Sequence, residues 1–217
     1  MDVRIRMGST MMVVGPSSSG KTVFIVRLID NAMQLFNVTP SRVFWCYGHR
    51  TGDHEELSTR NYTMIQGIPD NFDFIVPNSI IVIDDLMLEA GNNRAVTELF
   101  TAGAHHHPCF LIFTQHNLFH KALHQRTFQL NSQYLVLFKN PRDAGQIEYL
   151  SRQMYPNSKH YLSAIFQDAT LNPHTYLLID LHAQTPEIVR VRTRILPHEK
   201  PMIAYVNKQL YNDLVRV

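Results

Sequence analysis

The chain has 217 residues, a formal net charge of +2 and 45% apolar residues, which suits one domain (1–217) with a sizeable core and no metal or disulfide staple. No stretch approaches the roughly 20 consecutive apolar residues of a membrane span, and the basic start, Met1 to Met7, lacks the apolar run and cleavage site of a secretory signal. The near-neutral charge excludes a protein that wraps DNA with a whole basic face, so any nucleic-acid contact should be local.

Met11–Gly15 reads as a first strand, followed by a helix from Lys21 to about Phe36. Arg42–Tyr47 (RVFWCY), rich in β-branched and aromatic residues, is a second strand. Ser79–Asp84 (SIIVID) is almost wholly apolar, as a strand buried on both faces should be. Asn93–Ala104 has helical spacing through Val96, Leu99 and Phe100. Cys109–Gln115 (CFLIFTQ) and Tyr134–Phe138 (YLVLF) are further strands, with a short helix around Phe119–Gln125 between them. Ala144–Met154 reads as a helix, Tyr176–Leu181 as a strand and Val189–Ile195 as an alternating strand. Strands separated by helices predict an α/β fold with a mostly parallel central sheet flanked by helices. Ligands of such sheets bind beyond the C-terminal ends of the strands. Cys46 and Cys109 sit inside apolar runs and read as buried, unpaired thiols of a reducing, intracellular setting.

Gly15-Pro16-Ser17-Ser18-Ser19-Gly20-Lys21-Thr22 matches G-x-x-x-x-G-K-[ST] in full, between a predicted strand and a predicted helix. Small residues let successive backbone N–H groups turn inward around phosphates, and the helix N-terminus adds partial positive charge. Lys21 would reach the β- and γ-phosphates, and the Thr22 hydroxyl would ligate Mg²⁺. The expected ligand is a Mg²⁺-nucleotide, ATP. Ile80–Ile83 ends in two adjacent carboxylates: Asp84 would hold Mg²⁺ through a water, and Asp85 would orient or deprotonate the attacking water. Gln115, at the tip of the next apolar strand, either senses the γ-phosphate and positions water or simply closes the strand.

The P-loop near the start, IIVIDD, a strand ending in FTQ, and LNSQYLVLFKNPRD together resemble the viral genome-packaging ATPases of the FtsK/HerA superfamily. The closest look is to those of polinton-like viruses and adintoviruses, related to the poxvirus packaging ATPase. LFTAGAHH (Leu99–His106), Phe113–His120 and YLLIDLHAQTPEIVRVRTR (Tyr176–Arg194) extend the likeness over nearly the whole chain. The resemblance implies a homo-oligomeric ring, pentamer or hexamer, that pumps double-stranded DNA into a preformed capsid. A portal or vertex protein would be its capsid partner, and the infected host cell its setting. It also implies an ASCE/RecA-like strand order, with the sensor strand between the P-loop and Walker B strands and Gln115 beside the γ-phosphate. That superfamily usually carries Glu where this chain has Asp85. An arginine from a neighbouring subunit is implied too. Arg142, after the strand Tyr134–Phe138, is the first candidate, and Arg126, before that strand, the second. Because the P-loop lies so near Met1, a docking domain is expected to be missing or supplied by another protein.

Twelve histidines invite a metal reading. His116, His120 and His124 recur every four residues, but no Cys or carboxylate completes a four-ligand set. His105–His107 read as a helix end or a DNA-contacting loop. Arg190, Arg192 and Arg194 alternate along the predicted last strand and would share one face, as a charged edge or as a DNA or subunit contact. The competing function is a small-molecule (nucleoside or nucleotide) kinase. The chain has no Arg-rich lid and no paired CxxC ribbon, and sheet order discriminates, since many such kinases set the Walker B strand beside the P-loop strand. A GTPase switch would need Asn-Lys-x-Asp, which is absent.

Overall fold

A computed structural model describes residues 2–48, 57–90, 93–101, 109–118, 125–142, 145–199 and 201–207. The described strands are β1 (Thr10–Val14), β2 (Val43–Tyr47), β3 (Thr63–Gln66), β4 (Ile80–Asp84), β5 (Phe110–Gln115), β6 (Tyr134–Phe138), β7 (Tyr176–Asp180), β8 (Val191–Thr193) and β9 (Ile203–Tyr205). The helices are α1 (Lys21–Asp30), α2 (Ala32–Leu35), α3 (Met87–Ala90), α4 (Arg94–Thr101), α5 (Gln125–Asn131), α6 (Gly145–Met154), α7 (Tyr161–Ala169) and α8 (Glu187–Arg190).

One sheet runs β3-β2-β4-β5-β1-β6-β7-β8-β9. The six strands from β3 to β6 are parallel, and β7, β8 and β9 continue the sheet antiparallel. β5 therefore lies between β1 and β4, the strand order expected from the resemblance and not that of a kinase with adjacent P-loop and Walker B strands.

Alternation along each strand sorts the core onto two faces. Met11 and Val13 join Phe24, Ile25 and Leu28 of α1, while Met12 and Val14 join Ile147 and Leu150 of α6 and Leu162 of α7. The same second face holds Ile81, Ile83, Leu111 and Phe113 against Val96, Leu99 and Phe100 of α4. Buried on both sides, β1, β4, β5 and β6 tolerate few polar residues, which is why they read so plainly. Cys46 and Cys109 are free and buried, and burial pushes their thiols up to about 12 and about 11, well away from nucleophilic thiolates.

Several expectations need correction. The first helix stops at Asp30, because Asn31 leaves helical geometry (φ −105°, ψ 19°) and its side-chain amide caps the Arg27 carbonyl. Val189–Ile195 is not one strand: Arg190 ends α8, only Val191–Thr193 is extended, and Arg194 takes φ 56°. The three arginines consequently share no face and no exposed edge. Arg190 donates to the carbonyls of Asp180, His182 and Thr185. Arg192 is 2% exposed, donates to the Val3 carbonyl and lies 3.6 Å from Asp180. Residues 102–108 and 119–124, with the expected helix end, the triple histidine, His120 and His124, lie outside the described residues.

Antiparallel pairing sets the two ends of β7 on opposite edges of the sheet. Tyr176 sits beside Phe138 at the C-terminal edge of the parallel strands, and Asp180 sits beside Tyr134 at the other. At that second edge Asp180 Oδ1 lies 2.7 Å from His182 Nδ1, and His182 Nε2 lies 2.9 Å from Ser9 Oγ. With Ser9 4% and Asp180 4% exposed, the chain of contacts pins the root of β1 to the antiparallel extension and leaves no room for a substrate at the serine.

Candidate nucleotide site

The C-terminal edge gathers Gly15–Thr22, Asp84, Asp85 and Gln115. Gly15 follows β1 and donates its N–H to the Gln115 carbonyl (3.0 Å), so the root of the loop is tied to β5. A Cβ at Gly15 would stand 2.7 Å from both Phe138 Cβ and Ser19 Oγ, so only glycine fits the closed turn. Ser18 (φ 60°) and Gly20 (φ 102°) adopt left-handed geometry, the kind of turn that aims successive N–H groups into an anion-binding nest. Ser19 Oγ is buried with no partner among the described residues. A buried hydroxyl without a partner, in a turn that leads into a helix N-terminus, leaves polar capacity there for an arriving ligand such as a phosphate oxygen.

Lys21 Nζ donates to the carbonyls of Gly15 (2.8 Å) and Pro16 (3.0 Å). Burial pushes its ammonium down, Asp84 and Asp85 pull it up, and the net direction is down. A half-buried cation resting on two carbonyls favours an arriving anion. Thr22 and Asp84 supply the hard oxygen donors that Mg²⁺ takes, so the residues present fit the ion.

Asp84 ends β4 and is buried, and Thr114 Oγ1 donates to its Oδ1 at 2.8 Å. The same hydroxyl accepts from the Asp85 N–H at 2.9 Å. One side chain of β5 thereby fixes the turn carrying both carboxylates. Asp85 occupies φ 54°, a conformation costly for a non-glycine residue, and its side chain is 75% exposed. His116 Nε2 lies 3.0 Å from Asp85 Oδ1, so the imidazole that the sequence offered as a metal ligand is committed to the carboxylate. Among the described residues no group of three His, Cys, Asp or Glu side chains could hold a metal ion.

Gln115 is buried, opposite Val14 across the strand pair, with Nε2 3.9 Å from Met12 Sδ. Arg142 follows β6 on this edge and is exposed; its backbone N–H is held by Asn140 Oδ1 at 3.1 Å, and among the described residues its guanidinium makes no hydrogen bond or ion pair. Glu148, six residues on, pairs with Arg152. Arg126 lies in the first turn of α5. Thr114, His116 and His174 escaped the sequence reading as parts of the site. His174 sits at φ 61° with Nδ1 3.2 Å from the Ser19 carbonyl, a contact across 155 positions that no local pattern announces.

This geometry decides the fold. The chain has the P-loop NTPase fold. It is similar to the structure of the genome packaging NTPase B204 from Sulfolobus turreted icosahedral virus 2 in complex with ATP-gammaS, with a TM-score of 0.50 and 13% identity over 86% of this chain and 96% of that one. It also aligns with a KaiC-like protein, PH0186, from the hyperthermophilic archaeon Pyrococcus horikoshii OT3, with a TM-score of 0.43 and 11% identity over 92% and 90% of the two chains. No family model and no curated protein sequence matches it. Among the described residues no helix is long and apolar enough to cross a membrane.

Proposed function

We propose that this chain is an ATP-driven translocase that packages viral double-stranded DNA into a preformed capsid, working as a homo-oligomeric ring against a portal or vertex protein. The observation that carries the reading is β5 lying between β1 and β4, with Thr114 on the Walker B carboxylates and Gln115 against the P-loop root. A fold shared with a viral genome packaging NTPase bound to an ATP analogue supports it.

In this reading the nest of Ser18 to Gly20 and Lys21 hold the triphosphate; Thr22 and Asp84 would hold Mg²⁺, which would supply neutralisation of the developing phosphate charge. Asp85 accepts a proton from the attacking water as its oxygen bonds to the γ-phosphorus and ADP departs. Gln115 orients that water. An arginine from the neighbouring subunit, Arg142 in preference to Arg126, stabilises the transition state from outside. Such an arginine is worth roughly 10³–10⁵ in rate.

The test mixes two inactive variants. Lys21→Ala subunits lose triphosphate but keep Arg142, whereas Arg142→Ala subunits bind ATP and lack the donor. Mixed rings should recover a fraction of wild-type hydrolysis; complete failure to recover any would refute the trans assignment.

A further inference from the structure

A cleft of about 410 Å³ opens directly off Ser18, Gly20, Lys21 and Thr22. That is the scale of a small-molecule site, roughly 300–1,000 Å³. Its far walls are Val23 on α1, His174 and Tyr176 at the entry to β7, and Leu196 and Glu199 from the turn after β8. Three observations converge on it. Val23, immediately after Thr22, is 52% exposed and lines the cleft together with buried Leu196. His174 holds its wall against the phosphate loop through Ser19, at the expense of a positive φ. Arg27 Nη1 lies 3.0 Å from His198 Nε2, which fastens the turn bearing Glu199 to α1.

Glu199 supplies the chemistry. Its Oε2 accepts from Tyr176 Oη–H (2.7 Å) and from the Leu196 N–H (3.2 Å), while Oε1 has no partner among the described residues. A carboxylate offers about four lone-pair positions, two to each oxygen, so one oxygen is filled and one is open. An open charged acceptor beside apolar walls selects a ligand that brings a hydrogen-bond donor on a flat apolar body. Guanine presents N1–H and N2–H side by side and needs both oxygens. Adenine presents a single amino group and needs one, whereas hypoxanthine in the same orientation turns its O6 acceptor toward the carboxylate.

Resting on the triphosphate reading of the P-loop, we propose that this cleft receives the nucleoside, with Val23 and Leu196 against the base and Glu199 Oε1 accepting from the 6-amino group of adenine. Glu199 is then the residue that sets base specificity.

The test is competitive binding to the wild-type chain, with Mg²⁺ present, of ATP, purine riboside 5′-triphosphate (the same base without its amino group), ITP and GTP. Losing a hydrogen bond to a charged acceptor weakens binding by about tenfold or more, so ATP should lead purine riboside triphosphate by that factor and should also lead ITP and GTP. Glu199→Gln, which offers a donor as well as an acceptor, should cut the preference for ATP over ITP by about tenfold. Equal binding of all four triphosphates, or preference for GTP, overturns the inference and leaves the P-loop reading standing. Binding of none of them overturns both. The wild-type comparison decides the matter even if the Glu199 variant fails to fold.

Discussion

The Thr114 hydroxyl donates to Asp84 Oδ1 at 2.8 Å, and through it β5 grips the carboxylate that ends β4. Because the same oxygen accepts from the Asp85 N–H, a single side chain sets the position of both acidic residues.

Thr114→Val keeps the shape and removes the hydroxyl, leaving the Asp85 N–H unpaired and Asp84 short of a donor. The expected loss of stability is about 1–3 kcal/mol, measured by denaturant unfolding. Hydrolysis should fall by more than nucleotide affinity, since binding rests chiefly on the loop and Lys21. An unchanged unfolding midpoint would contradict the assigned role.

His116 is expected to act through Asp85, orienting its carboxylate. His116→Ala should lower kcat several-fold with little change in nucleotide Kd, whereas His116→Gln, whose amide N–H can still donate, should recover part of the rate. Equal damage from both variants, or a matched loss of binding, would point to a structural role only.

At the opposite edge Asp180 faces Arg192, which is 2% exposed. Asp180→Asn leaves that guanidinium without its counter-ion and should cost about 3–5 kcal/mol. Burial pushes the Asp180 carboxyl up, and hydrogen bonds from the His182 ring and backbone N–H more than offset this, so the net direction is below the ordinary 3.8. A depressed carboxyl contributes stability that is present above the unfolded value and is lost as pH falls through the folded one. Wild-type stability should therefore drop on acidification below about pH 4, and Asp180→Asn should flatten that part of the profile.

Gly15→Ala would press a methyl group to 2.7 Å from both Phe138 Cβ and Ser19 Oγ. We expect a reshaped loop and at least tenfold weaker ATP binding, because the nest depends on that turn. Isothermal titration against the wild type measures it.

What was legible in the sequence follows from burial. β1, β4, β5 and β6 are enclosed on both faces, so their composition alone marked them, and the phosphate loop announced itself by spacing. β3 was missed because Thr63–Gln66 lies at the sheet edge and is only half covered, which leaves no apolar run. α7 was missed between two clear elements, although Leu162 and Ala169 anchor it to the core. The alternation of Arg190, Arg192 and Arg194 imitated a strand face because α8 gives way to extended chain in the middle of the pattern. Arg192 reads as a surface charge by type, yet Asp180 and the Val3 carbonyl take it inside. His116 and His174 meet Asp85 and Ser19, far away in sequence, and Glu199 meets the Tyr176 hydroxyl, only after the sheet is assembled.

The most direct test of the central claim is steady-state ATP hydrolysis by the purified chain, with and without long double-stranded DNA, beside a Lys21→Ala control. The account predicts several-fold stimulation by DNA that vanishes in the control. Turnover indifferent to DNA and raised by a nucleoside or nucleotide acceptor would contradict it, and would assign the site to a small-molecule kinase.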